Sequence, residues 1–248
     1  MNIISDICYS PETKQCLDIY LPEGNAFAVL VYFHGGGLQT GDKVTGKAFI
    51  KHLTDRGVAV VSANYRMYPD AKYPDFICDA AEAVAWTFKN IKKYCNINDI
   101  YVGGSSAGGY LSQMLCFDKR WLASYGISPM DIAGFVHDAG QPTCHFRVLQ
   151  ERGIHKYRVI IDDSAPLYHV GEDETHPPML ILVSDDDMKN RLEQTMLLVS
   201  TLKHFGHTEK VFLKIIEGKH CCALKTTDEN GDNLFGRLVY SFITKKEV

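Results

Sequence analysis

The stretch IYVGGSSAGGYLSQML, residues 100–115, places two serines between two pairs of glycines. A β-branched apolar run precedes the glycines, and a run with helical spacing follows them. Glycine loses more backbone freedom on folding than any other residue, so four glycines in the seven positions 103–109 indicate a backbone that bends where side chains would clash. The stretch therefore predicts a sharp turn from a strand into a helix.

Strand-like and helix-like segments alternate along the chain on both sides of this turn. Short continuous apolar runs are typical of strands that are buried on both faces of a sheet. Six such runs are residues 28–34, 58–65, 100–104, 134–140, 178–184 and 211–218. Apolar residues with helical spacing lie in residues 75–94, 108–117, 191–205 and 233–244. The alternation predicts an α/β fold with a mostly parallel central sheet flanked by helices.

Two further segments complete the predicted architecture. Residues 17–22 have the pattern of a strand and are expected to add an antiparallel edge to the sheet. The least regular region, residues 141–176, lies between two predicted strands and is expected to form a small lid insertion over one end of the sheet. A length of 248 residues suits one large α/β domain, so residues 1–248 are predicted to form a single domain.

Composition argues against several classes of function. The net charge of −4 disfavours a nucleic-acid binder, which usually carries a basic patch. No apolar run approaches the roughly 18 residues of a membrane span. The N-terminus lacks the pattern of a signal peptide, and the eight cysteines form no C-x-x-C pair, so a cytoplasmic protein with reduced thiols is expected. The zinc-ligand pattern H-E-x-x-H is also absent, and neither a metal nor a cofactor is expected.

The turn at residues 104–108, GSSAG, fits the pattern G-x-S-x-G with Ser106 at its centre. A serine on such a turn projects its hydroxyl into solvent, and the unpaired N–H groups at the start of the helix favour developing negative charge. The pattern therefore indicates a nucleophilic serine. The register centred on Ser105 is the alternative, but it lacks the closing glycine. A phosphate-binding loop would need a Gly-Lys-Ser/Thr ending, which is absent.

A second motif, HGGG at residues 34–37, directly follows a predicted buried strand. Ester hydrolysis needs donors aimed at the oxyanion of the tetrahedral intermediate, and consecutive glycines let backbone N–H groups face inward. The predicted donors are the amides of Gly36, Gly37 and Ala107. Together with the serine turn they would form both halves of an acyl-transfer site. His34 is expected to be a structural residue that orients the glycine loop.

An acid and a base are expected after the nucleophile, in the order Asp or Glu and then His. The predicted strand 178–184 is followed by three aspartates, residues 185–187, and the strand 211–218 is followed by Lys219 and His220. Both positions are carboxyl ends of strands, where open α/β sheets place their chemistry. His220 is the predicted base because it alone follows the last predicted strand. His34 is the weaker candidate, because it precedes the nucleophile.

These motifs resemble the esterase/lipase branch of the α/β-hydrolase superfamily, which includes hormone-sensitive-lipase-like carboxylesterases and bacterial feruloyl or acetyl esterases. The matching residues are HGGG at 34–37, NYRMYPD at 64–70 with Tyr73, Pro74 and Asp79, GSSAGG at 104–109, Asp187 and His220. The resemblance implies the α/β-hydrolase fold, and a structural role for the loop at 64–70. It also favours Asp187 as the acid over Asp186 and Asp185, because relatives commonly carry G-x-x-D here and Ser184 takes the place of that glycine.

Two departures from the family pattern bear on the substrate. GSSAGG replaces the GDSAGG of hormone-sensitive-lipase-like enzymes, which favours the feruloyl and acetyl esterase branch. Only 27 residues precede the first predicted buried strand, too few for a large N-terminal cap. Any cover must therefore come from residues 141–176, and an open site that admits an ester on a bulky sugar is expected.

The resemblance implies a serine carboxylesterase that acts through an acyl-enzyme on Ser106, His220 and Asp187. Its expected partners are small-molecule or carbohydrate esters with short acyl groups, acetyl or hydroxycinnamoyl. The alternative is an amide hydrolase on the same triad, such as an arylformamidase or a peptidase, because formamidases share the HGG motif. A non-catalytic binding module with a hydrolase fold is the remote alternative.

Overall fold

A twisted sheet forms the centre of the molecule, whose computed structural model describes residues 1–171 and 174–245. Within those residues the sheet has eight strands in the order β1-β2-β4-β3-β5-β6-β7-β8. Strands β1 to β2 and β2 to β4 pair antiparallel, and all the other neighbours pair parallel. The strands are β1 Asn2–Ser10, β2 Gln15–Leu21, β3 Ala28–Phe33, β4 Val58–Ala63, β5 Asp99–Ser105, β6 Gly134–Asp138, β7 Met179–Asp186 and β8 Val211–Lys219.

The mostly parallel sheet is confirmed, but both of its edges differ from expectation. The predicted edge strand, β2, lies inside the sheet, because β1 pairs along its outer side. The sequence of β1 gave no sign of this, since most of its residues are exposed and it has no continuous apolar run. The prediction that β8 is buried on both faces was also wrong. It is the opposite edge, and Phe212 and Ile215 on it are 41% and 51% exposed.

Helices cover both faces of the sheet, as predicted. They are α1 Lys47–Thr54, α2 Asp75–Asn90, α3 Ala107–Phe117, α4 Arg120–Ala123, α5 Phe146–Glu151, α6 Arg191–His204 and α7 Leu234–Ile243. Alternate side chains of a strand point to opposite faces. Accordingly, Val29 and Val31 of β3 pack in the core with α2, α3 and α6, while Leu30 and Tyr32 pack with α1 and α7. None of the described helices has both the length and the apolar character needed to cross a bilayer.

The segment 141–176 lies between β6 and β7, and its residues 172 and 173 fall outside the described residues. It contains α5 and is anchored to neighbouring elements. The Tyr110 hydroxyl of α3 donates to the carbonyl of Ser164 at 2.8 Å, and the Tyr68 hydroxyl donates to Glu151. We propose that this segment is a small cover on a single domain, because one continuous sheet connects all the elements around it.

A buried histidine in β6 makes the stability of the fold depend on pH. His137 is fully buried between Phe117 and Phe135, and its Nδ1 lies 2.9 Å from the hydroxyl oxygen of Ser112. Burial, together with the nearby His176, lowers the pKa of His137 to about 3. The unfolded chain, where a histidine titrates at about 6.5, therefore binds this proton more readily. The full free energy of unfolding is therefore available above about pH 6.5, where His137 is neutral in both states. It decreases as the pH falls toward 3, because the unfolded chain takes up the proton first.

We expect the free energy of unfolding to fall by about 1 kcal/mol more in the wild type than in His137→Gln when the pH drops from about 7.5 to about 5.5. Urea unfolding at the two pH values measures this difference. His204→Gln is the matched control, because His204 is exposed on α6. Equal pH dependence in the wild type and His137→Gln would show that His137 does not carry the effect.

Candidate active site

Ser106 occupies the turn between β5 and α3, where its backbone has φ 55° and ψ −112°. The flanking glycines make this turn possible. A Cβ at Gly108 would lie 1.9 Å from the carbonyl oxygen of Phe33, and a Cβ at Gly104 would lie 2.4 Å from the carbonyl carbon of Gly108. The Ser106 N–H donates to the carbonyl of Asp138 at 2.7 Å. Helix α3 thus begins in direct backbone contact with the sheet, and the serine is held at the junction.

His220 and Asp187 come from the ends of β8 and β7 and meet Ser106. The Nε2 of His220 lies 2.8 Å from the Ser106 Oγ, and its Nδ1 lies 2.5 Å from Asp187 Oδ1. Asp187 has no exposed side-chain surface, and it also accepts hydrogen bonds from the Met188 N–H at 2.6 Å and the Ser184 N–H at 3.3 Å. The structure therefore brings the predicted nucleophile, base and acid into one hydrogen-bonded chain.

The electrostatics of this chain favour an ionised acid. Burial opposes the charge on Asp187, but the hydrogen bond and charge of His220 and the two backbone N–H groups outweigh it and hold the pKa of Asp187 below its ordinary value. An ionised Asp187 only accepts hydrogen bonds, so Nδ1 of His220 carries the proton. The free lone pair of Nε2 then faces the serine hydroxyl, as a general base requires.

The alternative candidates for the nucleophile and the acid, Ser105, Asp185 and Asp186, do not join this hydrogen-bonded chain in the described residues. Ser105 belongs to β5 and is buried, and its Oγ accepts a hydrogen bond from the Tyr32 hydroxyl at 3.0 Å. Asp185 is exposed and accepts from the Gly218 N–H at 2.8 Å, which ties the end of β7 to β8. Asp186 is exposed and pairs with Lys219 in the same ladder.

The HGGG loop lies beside the serine. A Cβ at Gly35 would be 3.2 Å from the Cβ of Ser106, so this part of the loop is pressed against the nucleophile. Gly36 and Gly37 have φ angles of 121° and 65°, values that favour glycine. In the part of the chain that the structure describes, the N–H groups of Gly36, Gly37 and Ala107 donate to no acceptor. Three unengaged donors next to a nucleophile are suited to an oxyanion.

His34 supports this loop from behind. Its buried ring stacks on Tyr65 with the ring centroids 4.6 Å apart, and its Nδ1 lies 2.7 Å from the carbonyl oxygen of Gly35. The Tyr65 hydroxyl donates to the His34 carbonyl at 2.8 Å. Arg66, the next residue, is fixed by Asp79, whose carboxylate accepts from its backbone N–H at 2.7 Å and from its guanidinium. The loop at 64–70 therefore braces the glycine loop that lies against Ser106.

Sequence reasoning missed a buried carboxyl group beneath the serine. Asp138 ends β6 and is almost fully buried, and burial raises its pKa to about 6. Its Oδ2 has no hydrogen-bond partner among the described residues. The only signal for it in the sequence was an aspartate at the end of a predicted strand, which is weaker than a motif.

A cavity of about 540 Å³ beside the triad was missed as well. Phe146 forms one wall, and its ring would lie 3.1 Å from a Cβ at Gly37. Met188, which directly follows Asp187, also lines the cavity. The basic and aromatic run HKYR at residues 155–158 was the available signal, but it lies in the irregular region without any recognisable motif. In the described residues no group of three or more His, Cys, Asp or Glu side chains could hold a metal ion.

The chain is similar in sequence to known esterases. A family model described as BD-FAE matches residues 17–122, which include the HGGG loop and the serine turn. Esterase LipC of Mycobacterium tuberculosis is 25% identical over 238 residues, which cover 86% of this chain and 58% of LipC. Carboxylic ester hydrolase LipN of the same bacterium is 35% identical over 118 residues, which cover 46% of this chain and 31% of LipN. The chain thus spans less than two thirds of the length of these relatives.

Solved structures match over nearly the whole chain. Esterase B from Lactobacillus rhamnosis has a TM-score of 0.79 at 16% identity, with 98% of this chain and 85% of that chain covered. Thermogutta terrifontis esterase 2 phosphoramylated by tabun has a TM-score of 0.78 at 21% identity, with 98% and 94% covered. At these identities the likeness is one of fold. The family model, the sequence relatives and the fold together support the resemblance of this chain to the esterase/lipase branch of the α/β-hydrolases.

Proposed function

We propose that the chain is a serine carboxylesterase that hydrolyses short-chain acyl esters. The observation that carries this proposal is the hydrogen-bonded chain from the Ser106 Oγ through His220 to Asp187, with distances of 2.8 Å and 2.5 Å. Nucleophile and base in contact, with the base oriented by a third group, are the arrangement needed for acyl transfer. The names of the relatives, esterase and carboxylic ester hydrolase, support the same reaction class.

The first half of the reaction forms an acyl-enzyme. The Ser106 Oγ attacks the carbonyl carbon of the ester while Nε2 of His220 takes the hydroxyl proton. Asp187 keeps His220 in the required tautomer and stabilises the imidazolium. The carbonyl oxygen becomes an oxyanion, to which the N–H groups of Gly36, Gly37 and Ala107 donate hydrogen bonds. The tetrahedral intermediate then collapses, and the alcohol leaves with the proton from His220.

The second half releases the acid. Water takes the place of the alcohol, and its proton passes to Nε2 of His220 as its oxygen attacks the acyl carbon of Ser106. The same donors hold the second oxyanion. When that intermediate collapses, the Ser106 Oγ recovers the proton and the carboxylic acid departs. No step in this sequence calls on a group from outside the chain except water and the ester.

The proposed substrates are esters of acetate or of a hydroxycinnamate, including esters carried on plant carbohydrate. The resemblance of GSSAGG to the feruloyl and acetyl esterase branch supports this choice, as does the match to the BD-FAE model. The proposed cover at 141–176 is short, so a substrate with a bulky alcohol can still approach Ser106. The cavity beside the triad offers room for a part of such a substrate.

The test is hydrolysis of p-nitrophenyl esters from acetate to octanoate and of methyl ferulate, with N-formylaniline as the amide. We expect turnover of the short esters or of methyl ferulate, with a decline toward octanoate. Faster cleavage of the amide than of every ester would favour the amide hydrolase instead. Failure to cleave any substrate, combined with no labelling of Ser106 by a fluorophosphonate, would contradict a serine hydrolase altogether.

A further inference from the structure

The cavity beside the triad is bounded by the two halves of the proposed catalytic apparatus. Phe146 on one wall contacts the oxyanion loop at Gly37. Met188 also lines the cavity and is bonded through its backbone N–H to Asp187. A substrate that is attacked at Ser106 can therefore extend a group into the cavity. With a volume of about 540 Å³, the cavity is large enough for an aromatic ring and its substituents.

The charge of this cavity is opposite to that of the chain. Lys156, Arg158, Lys189 and Arg191 line it, together with a single carboxylate, Glu193. The whole chain carries a net charge of −4, whereas the side chains that line this cavity carry a net positive charge. Among residues 1–171 and 174–245, no carboxylate oxygen lies within 4.0 Å of any of these four cations. Their charge is therefore not neutralised by an ion pair in the described part of the protein.

The deepest of these cations is built into the fold. Arg191 is only 4% exposed, although it begins α6. It donates to the carbonyl of Ala139 at 2.5 Å and to the side-chain oxygen of Gln141 at 3.2 Å, both neutral acceptors. Burying a guanidinium costs free energy unless an anion compensates it. The charge of Asp187 acts on Arg191, but from beyond ion-pair distance. Burial lowers the pKa of Arg191 to about 10, which still leaves it charged near neutral pH.

Two of the outer cations converge on one aromatic ring. The Nζ atoms of Lys156 and Lys189 lie 5.0 Å and 5.5 Å from the ring centroid of Tyr157. They come from different segments, Lys156 from the proposed cover and Lys189 from the loop after the acid. Tyr157 is 58% exposed, so this group stands at the mouth of the cavity. Two ammonium groups held over one aromatic ring suit a substrate in which a flat, apolar body ends in an anion.

From this arrangement we infer that the cavity is a substrate subsite for the anionic group of an ester. Its four cations, Lys156, Arg158, Lys189 and Arg191, face a carboxylate or phosphate. Phe146 and Tyr157 face the apolar body that carries this anion. The inference rests on the proposed function, because it takes Ser106 as the point of attack. It adds a substrate class: esters that carry a negative charge on the part of the substrate that occupies the cavity.

The experiment compares 4-acetoxybenzoate with its methyl ester, which has the same acetyl group and phenol ring but no charge. The readout is the ratio of kcat/KM for acetate release from the anionic ester to kcat/KM for acetate release from the neutral one, because the methyl ester bond is a second cleavable bond. In the triple variant Lys156→Gln, Arg158→Gln, Lys189→Gln this ratio is expected to fall about tenfold, because each partly exposed cation contributes a factor of roughly 2 to 5. The ratio in the wild type is also expected to fall as salt is raised.

The matched control is Lys89→Gln, Lys92→Gln, Lys93→Gln. It removes three exposed cations at the end of α2 and in the turn before β5. This turn lies at the amino ends of the parallel strands, away from the carboxyl ends where the triad residues lie. The control removes three positive charges, as the cavity variant does. It is expected to leave the ratio of the two kcat/KM values as in the wild type. An equal ratio in the wild type and the cavity variant would overturn the subsite, and so would an equal fall in both triple variants.

A second measurement separates this proposal from the proposed function. Ser106→Ala is titrated calorimetrically with each ester, so that no turnover is needed. Tighter binding of 4-acetoxybenzoate than of its methyl ester, lost on adding the cavity substitutions, supports the subsite even if neither ester is hydrolysed. Equal binding of the two esters overturns it. Lack of hydrolysis of both esters, and of the p-nitrophenyl series, would count against the esterase alone.

Discussion

Replacement of Ser106 by alanine is expected to lower kcat/KM for the best ester by about five orders of magnitude, because the nucleophile and its base act as a unit. The residual rate would come from substrate binding and from the backbone donors around Gly36 and Ala107. Steady-state hydrolysis of p-nitrophenyl acetate measures the loss, provided that trace contaminating esterase is removed. Labelling by a fluorophosphonate should disappear in the same variant.

The matched control for this substitution is Ser105→Ala. It removes the neighbouring hydroxyl, which lies in β5 and bonds to Tyr32 instead of facing His220. The expected cost is about 1 kcal/mol of stability from a lost buried hydrogen bond, with kcat/KM within about threefold of the wild type. Full activity of Ser106→Ala would show that the nucleophile has been misassigned, and loss of labelling only in Ser105→Ala would assign it to Ser105.

Asp187→Asn is expected to lower kcat by about 10⁴ while leaving the fold intact. Asparagine is nearly isosteric, but it no longer provides a charge that fixes the proton on Nδ1 of His220, which lies 2.5 Å from Oδ1 in the wild type. Without that constraint the ring can present a proton to Ser106 in place of a lone pair. Single-turnover measurement of acylation gives the loss directly, and circular dichroism checks the fold.

Asp186→Asn is the control for the acid. Asp186 is the adjacent carboxylate, exposed and paired in the β7–β8 ladder, and its loss removes the same charge. We expect kcat to change by less than about twofold. A large loss in Asp186→Asn with little loss in Asp187→Asn would move the acid to the other aspartate and contradict the geometry on which the proposed mechanism rests.

The pattern of the central strands could be read from the sequence because burial on both faces leaves continuous apolar runs, as in β3 and β4. The two edge strands of the sheet, β1 and β8, could not be recognised as edges from the sequence. Strand β1 is held by backbone pairing with β2, which leaves no hydrophobic signature. Strand β8 carries an apolar run like a central strand, and only the absence of a further neighbour in the described sheet exposes Phe212 and Ile215.

The positions of the proposed site residues could also be anticipated, for a steric reason. The turn at Ser106 needs glycines where α3 touches the sheet, and that requirement is written into the local sequence. The cavity is different, because its cations come from residues about 30 apart that meet only in the folded chain. Nothing in the spacing of Lys156 and Lys189 predicts that both would approach the ring of Tyr157. Long-range convergence without a motif lies beyond what a single sequence reveals.

The short loop after β7 holds two groups with different tasks, since Asp187 contacts His220 and Lys189 faces the cavity only two residues later. If both proposed roles hold, two selective pressures act on the same few bonds of backbone. A change in this loop that suits a new substrate also displaces the carboxylate, so affinity and turnover vary together there. Lys156 and Arg158 belong to another segment, and through them evolution or an engineer can alter preference while the catalytic geometry stays fixed.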